Sequence, residues 1–210
     1  MVITLSDQYF QYFINPSKRK NRNSTLANAL LNLSMVSKIT IEQKFLERGH
    51  TQVEADSIHS TIERKLRHTN ISVPADYVAI CRSARRYPRP YTVYYLGHGF
   101  FKDFSKLSFL KSLRPGKRVG DPHVTDIRSL KYTPDGTIGY KLRHSENYMD
   151  LQFSRVSKKT RLEQCCPFSE LTALYDDPLA IKKEKFLHLQ ALKMSIPADY
   201  HNFYDNLSYH

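Results

Sequence analysis

Asp56, His59 and Glu63 stand three and four residues apart within KFLERGHTQVEADSIHSTIERKLRH (44–68), a spacing that puts all three along one edge of a helix. Carboxylates are hard oxygen donors suited to Mg²⁺ or Mn²⁺, and paired ions of that kind stabilise the attacking and leaving oxygens of phosphoryl transfer. Asp56 is the candidate metal ligand, with His50 and Glu63 as the catalytic candidates beside it. Such a centre draws acids from several elements, yet the only acid ahead of Glu42 is Asp7, in SDQYF. The same residues also read as a solvated helix edge in which Glu63 pairs with Arg67 at i,i+4. Asp121, His123 and Asp126 in GDPHVTDIR form a second acid and histidine group. The surrounding Gly and Pro favour turns in which the acids accept backbone amides. His98, between Gly97 and Gly99, reads as a loop histidine.

A different chemistry is offered by Arg82, Arg85, Arg86 and Arg89, which are interleaved with Tyr87, Tyr91, Tyr94 and Tyr95. Guanidinium groups bind phosphates in bidentate fashion, and aromatic faces accept unpaired bases. Arg114, Lys117 and Arg118 in the loop RPGKRVG (114–120) add cations of the same use. Over the whole chain 32 Lys and Arg stand against 20 Asp and Glu, a net charge of +12 that favours polyanionic partners. The plainer reading of the tyrosines is a strand with one face in a core.

The elements that must position these groups follow from periodicity and breakers. Ser24 is expected to cap a helix over 25–36, with Leu26, Ala29, Leu30 and Leu33 on its inner face. Residues 39–46 read as a strand with Ile39, Ile41, Gln43 and Phe45 on one side. Thr51 and Glu54 fit a capping box that opens a helix near Gln52, whose core stripe is Ala55, Ile58, Ile62 and Leu66. Pro74 starts another helix, near 75–85. Residues 90–96 are β-branched and aromatic, a strand by composition. Val124 to Tyr132 and Thr137 to Leu142 flank Pro134-Asp135-Gly136 and predict a hairpin over 124–142, with 151–156 as a third strand. The tail is helical in pattern, with Phe186, Leu189 and Leu192 on one face and Pro197 as its end.

A chain of 210 residues is long enough for a substantial core. Three cysteines, Cys81, Cys165 and Cys166, give neither a disulfide framework nor a zinc spacing. The start of the sequence lacks the pattern of a signal peptide, and no run approaches the length of a membrane span. A nuclear or cytoplasmic setting without membrane is expected.

Four strings carry a resemblance: KNRNSTLANALL (20–31), ITIEQKFLERGHTQVEADSIHSTIERKL (39–66), RPGKRVGDPHVTDIRSLKYTPDG (114–136) and IPADYHNFYDNL (196–207). Together they resemble an insect family of transposon-derived proteins, whose domain of unknown function is similar to a ribonuclease-H-like, DDE-type transposase or integrase core. The resemblance implies that the strand, the GHT turn and the acidic helix are the final part of that core. It also implies that Asp56 matches the helix acid and His50 the turn histidine. Family members commonly carry an Asp-Gly turn shortly before Asn-Arg-Asn. Here the stretch reads INPSKRKNRN, and the strands bearing the first acids have no counterpart.

The resemblance thus implies an N-terminally truncated scaffold in which Asp56 is vestigial, because constellations of this kind act as a unit. The expected fold is α/β. Residues 1–70 would form the C-terminal half of a ribonuclease-H-like core, 71–165 a basic and aromatic α+β extension with the hairpin, and 166–210 a helical segment. The expected function is nucleic-acid binding, to DNA or RNA, by a catalytically incompetent remnant of a transposase-like domain. No cofactor is expected, with Mg²⁺ or Mn²⁺ required only if the metal site is intact. The alternatives are an active divalent-metal-dependent nuclease or strand-transfer enzyme, and a protein-interaction module using the C-terminal helices.

Overall fold

The computed structural model describes residues 10–14, 22–45, 54–152 and 157–210, the first of these as backbone only. The fold mixes helices with one sheet and divides into two compact units, Met1–Gln52 with Lys102–Thr172 and Val53–Phe101 with Ala173–His210. That division departs from the expected cut at residues 70 and 165. Strand pairing is the reason, since the hairpin joins the sheet of the early strand rather than forming an extension of its own.

In the first unit, β1 (Phe10–Ile14) runs parallel to β2 (Ile41–Phe45), and α1 (Ser24–Ser37) connects them. Parallel neighbours need a crossover of this kind. β2 then pairs antiparallel with β3 (Ser129–Tyr132), β3 with β4 (Ile138–Lys141), and β4 with β5 (Met149–Asp150). The sheet order β1-β2-β3-β4-β5 follows the chain. Ile41, Gln43 and Phe45 point inward as expected and meet Leu130, Tyr132 and Ile138 in one core. The Tyr132 hydroxyl donates to Gln43 Oε1 at 2.7 Å, and burial pushes the phenol far above its ordinary pKa.

The expected hairpin forms, with Thr133 N–H donating to Thr137 O across the turn and Gly136 at φ +80°. Its first strand is shorter than expected, because Val124–Asp126 is a 3-10 turn. The third strand is Met149–Asp150 rather than 151–156. Leu151 N–H still donates to Ile138 O, and 153–156 lie outside the described residues.

α1 begins one residue early, since Asn23 rather than Ser24 is its cap, the Asn23 Oδ1 accepting Leu26 N–H at 2.8 Å. Its buried face is broader than the expected one: Leu30 is buried and Leu26 and Leu33 pack against the core as expected, while Ala27, Leu31 and Met35 are buried beside them together with Asn28 and Asn32. The two amides are buried because they hold loops. Asn28 donates to Leu107 O and Leu110 O at 2.6 and 3.1 Å and accepts from Leu110 N–H at 2.9 Å. Asn32 exchanges two such bonds with Cys166, at 2.7 and 2.9 Å. Each amide thereby replaces the backbone partners that the irregular stretches 107–110 and 165–166 lack. The short helix α4 (Lys158–Glu163) completes this unit, capped by Ser157.

The second unit holds α2 (Glu54–Leu66), α3 (Pro74–Ser83), α5 (Lys183–Leu192) and α6 (His201–Asp205). Pro74 sits in the first turn of α3, and Asp76 reaches back to accept Ser72 N–H and Val73 N–H. Of its described residues, only Ile80, Cys81 and Tyr204 are buried apolar ones. The Tyr204 hydroxyl donates to Ser72 O, and Phe186 stacks on Tyr209 at 4.2 Å. The stripe Ile58, Ile62 and Leu66 is half-buried where α2 packs on α3. Residues 90–96 form no strand. Pro88 and Pro90 remove backbone donors there, and no neighbouring strand offers a ladder.

Candidate functional site

The arginine and tyrosine segment leaves α3 at Ser83 and runs to a 3-10 turn at His98–Phe100. Two of its arginines are occupied in shaping it. Arg85 Nε donates to Arg89 O at 2.9 Å, and its guanidinium lies 4.1 Å above the Tyr91 ring. Arg82 reaches Val93 O at 3.5 Å. At the far end, Leu174 N–H donates to Phe101 O, and His98 Nε2 lies 3.2 Å from Asp176 O. The segment is therefore pinned at both ends and tied across its middle.

What lies between these ties faces solvent. Tyr87, Tyr94 and Tyr95 are 87%, 80% and 70% exposed, and Phe100 and Phe101 are exposed edge-to-face neighbours. Tyr94 and Tyr95 are adjacent in the chain. Both are out in water, which rules out a strand with one face in a core. Arg86 and Arg89 are exposed, and among the described residues their guanidinium groups have no hydrogen-bond or ion-pair partner. Of the arginines and tyrosines expected here from sequence, Arg86 and Arg89 are thus free to meet phosphates, while Arg82, Arg85 and Tyr91 hold the segment in shape. Tyr87, Tyr94 and Tyr95 are left as the exposed stacking surfaces.

Arg114, Lys117 and Arg118 belong to the first unit and form a separate basic loop, all three exposed. Asp121 organises it by accepting Arg118 N–H at 2.6 Å. Gly116 is required because a Cβ there would sit 2.1 Å from Asp121 Oδ2. Asp126 likewise accepts His123 N–H at 2.7 Å. These acids therefore bond backbone amides, as turn acids do.

On α2, Asp56, His59 and Glu63 are exposed. Asp56 and Glu63 are seven positions apart, which separates their backbones by about 10.5 Å along the axis. Mg²⁺ holds its ligands at about 2.0–2.1 Å, so the pair would meet at one ion only with both side chains stretched toward each other along the helix. Among the described residues no three His, Cys, Asp or Glu side chains gather into a metal-binding group. Glu63 instead lies close to α3. Burial first, then Cys81 and Glu63, raises the pKa of Tyr77 there. His50 and Thr51 lie outside the described residues.

One cluster had no signal in the sequence. Tyr148 lies across the outer face of the sheet with its Cβ against Gly139, where an added methyl would meet it at 3.1 Å. Its hydroxyl is 2.8 Å from Ser129 Oγ, and Lys131 and Lys141 approach its ring at 5.4 and 4.3 Å. Burial, as the largest cause, raises its phenol pKa.

Among the described residues no helix is long and apolar enough to cross a membrane. No family model, curated protein or solved structure matches the chain.

Proposed function

We propose that this chain binds nucleic acid through the segment 84–101 and does not cleave it, as a remnant of a transposase-like, ribonuclease-H-like domain. One observation carries the binding: a pinned segment exposes three tyrosine rings and two arginine guanidinium groups between Arg86 and Tyr95. Several large aromatic rings exposed within one short segment mark an interaction site, and arginine in the same segment selects a phosphate-bearing partner. The net charge of +12 adds long-range attraction to a polyanion. The proposed lineage is supported by the four motif strings and agrees with a mixed helix and sheet fold. Binding without cleavage is supported by the placement of Asp56 and Glu63 two helical turns apart on one exposed helix edge, where a shared ion needs both side chains stretched toward each other.

Fluorescence anisotropy with labelled single-stranded and duplex DNA, titrated from roughly 50 to 200 mM salt, tests the reading. Binding that weakens linearly in log–log form is expected. Absence of binding at the lowest ionic strength would overturn it. Cleavage that depends on Mg²⁺ or Mn²⁺ and disappears in Asp56→Ala would overturn the non-cleaving part.

A further inference from the structure

Resting on that reading, we infer that the ligand is a single strand, recognised chiefly by stacking of its bases on Tyr94, Tyr95 and Tyr87. A duplex keeps its bases stacked on one another and offers this segment only phosphates. The phosphate contacts best placed here are Arg86 and Arg89, because Arg85 lies on Tyr91 and bonds Arg89 O, and Arg82 is turned toward Val93 O. Two neutralised phosphates give a log–log salt slope of only about −1.4 on a single strand. Each base stacked on an aromatic ring strengthens binding about 5- to 150-fold. With three rings exposed at 70% or more, stacking outweighs the phosphate contribution.

The exposure of two adjacent rings favours the same ligand. Tyr94 and Tyr95 follow one another in the chain and both stand in solvent, so one strand lying along the segment can set bases against both. A duplex offers neither ring an unpaired base. Arg85, lying on Tyr91, holds that ring away from the ligand and keeps the loop between Arg82 and Val93 closed. Rings in this segment are thereby divided between one used for shape and three used for recognition.

The test uses the full chain and three labelled probes of equal length: an oligothymidylate, the same phosphate backbone carrying abasic sites, and a duplex. The variants are Tyr94→Ser with Tyr95→Ser, Tyr94→Phe with Tyr95→Phe, and Arg86→Gln with Arg89→Gln. All of these positions are exposed, and far-ultraviolet circular dichroism verifies that each variant folds. The expected order is oligothymidylate tightest, with abasic strand and duplex weaker. The serine variant should bring oligothymidylate binding down at least tenfold, toward the abasic level, with its salt slope unchanged. The phenylalanine variant should retain binding, since the ring remains. Equal affinity for all three probes, or a serine variant that binds as the parent does, would overturn stacking and leave the nucleic-acid reading standing. Loss of binding in the phenylalanine variant would overturn it in the same way. No binding of any probe at low salt would overturn both.

Discussion

Replacing Asn28 by alanine tests the packing of the first unit at its most concentrated point. The side chain is 3% exposed, and its amide makes three hydrogen bonds to the backbone of Leu107 and Leu110, both of them buried residues. Asn28→Ala removes all three and leaves the Leu110 N–H and the two carbonyls without the partners they have in α1. At about 1 kcal/mol per bond, with about 1 kcal/mol more for the orphaned N–H, the loss is about 4 kcal/mol. That is a large share of the ~5–15 kcal/mol by which domains are stable. In urea, with a slope near 2 kcal/mol per molar, the midpoint of the first unit should fall by about 2 M. Asn23→Ala is the comparison, since it removes one exposed cap bond and should lose only about 1 kcal/mol. Equilibrium unfolding of the two variants side by side is the assay. If Asn28→Ala loses no more than Asn23→Ala, the amide is not a clasp and the account of this core is wrong.

Three further outcomes follow from the same contacts. The Lys158 ammonium, 2.5 Å away, is the largest cause holding Asp135 well below the usual carboxylate range, with the Thr133 hydroxyl the next. A depressed folded pKa stabilises above the unfolded value of about 3.9 and is lost as pH falls through the folded one. The stability difference between the parent and Asp135→Asn should therefore be constant near neutrality and shrink only below about pH 4, as urea titrations at several pH values will show. Gly136→Ala forces a side chain into φ +80° and brings its Cβ to 3.3 Å from Met35 Sδ, so thermal unfolding should report a loss of roughly 1–2 kcal/mol. Hydrogen exchange should be slowest in β2 and β3, over the large core, and clearly faster in α2 and α5. Equal protection in the two units would contradict the burial pattern.

What the sequence made legible depended on whether one residue type had one physical role. Pro134-Asp135-Gly136 is turn chemistry wherever it falls, so the hairpin could be read directly. The alternation Ile41, Gln43, Phe45 fixed the inner face of β2, although Gln43 is polar. The face of α1 is broader than periodicity shows because asparagine counts as a solvent residue in such an argument, whereas Asn28 and Asn32 turn inward to satisfy loops distant in sequence. Residues 90–96 have strand composition, but a strand also needs a partner, and no local pattern shows one to be missing. The same misreading hid the division of the arginines. Sequence proximity grouped Arg82, Arg85, Arg86 and Arg89 as equals, and only the contacts to Val93, Arg89 O and Tyr91 separate the shaping pair from the free pair. On α2, the acidic edge was read correctly as an edge, with Asp56, His59 and Glu63 all exposed along it.

Nucleic-acid binding by the segment 84–101 stands or falls on the salt dependence of single-strand binding in the full chain and in Arg86→Gln with Arg89→Gln. The parent should bind measurably at low salt, and the variant's log–log slope should be shallower by about 1.4, the share of two phosphates. A parent that does not bind, or a variant whose slope matches the parent's, would refute binding through these arginines.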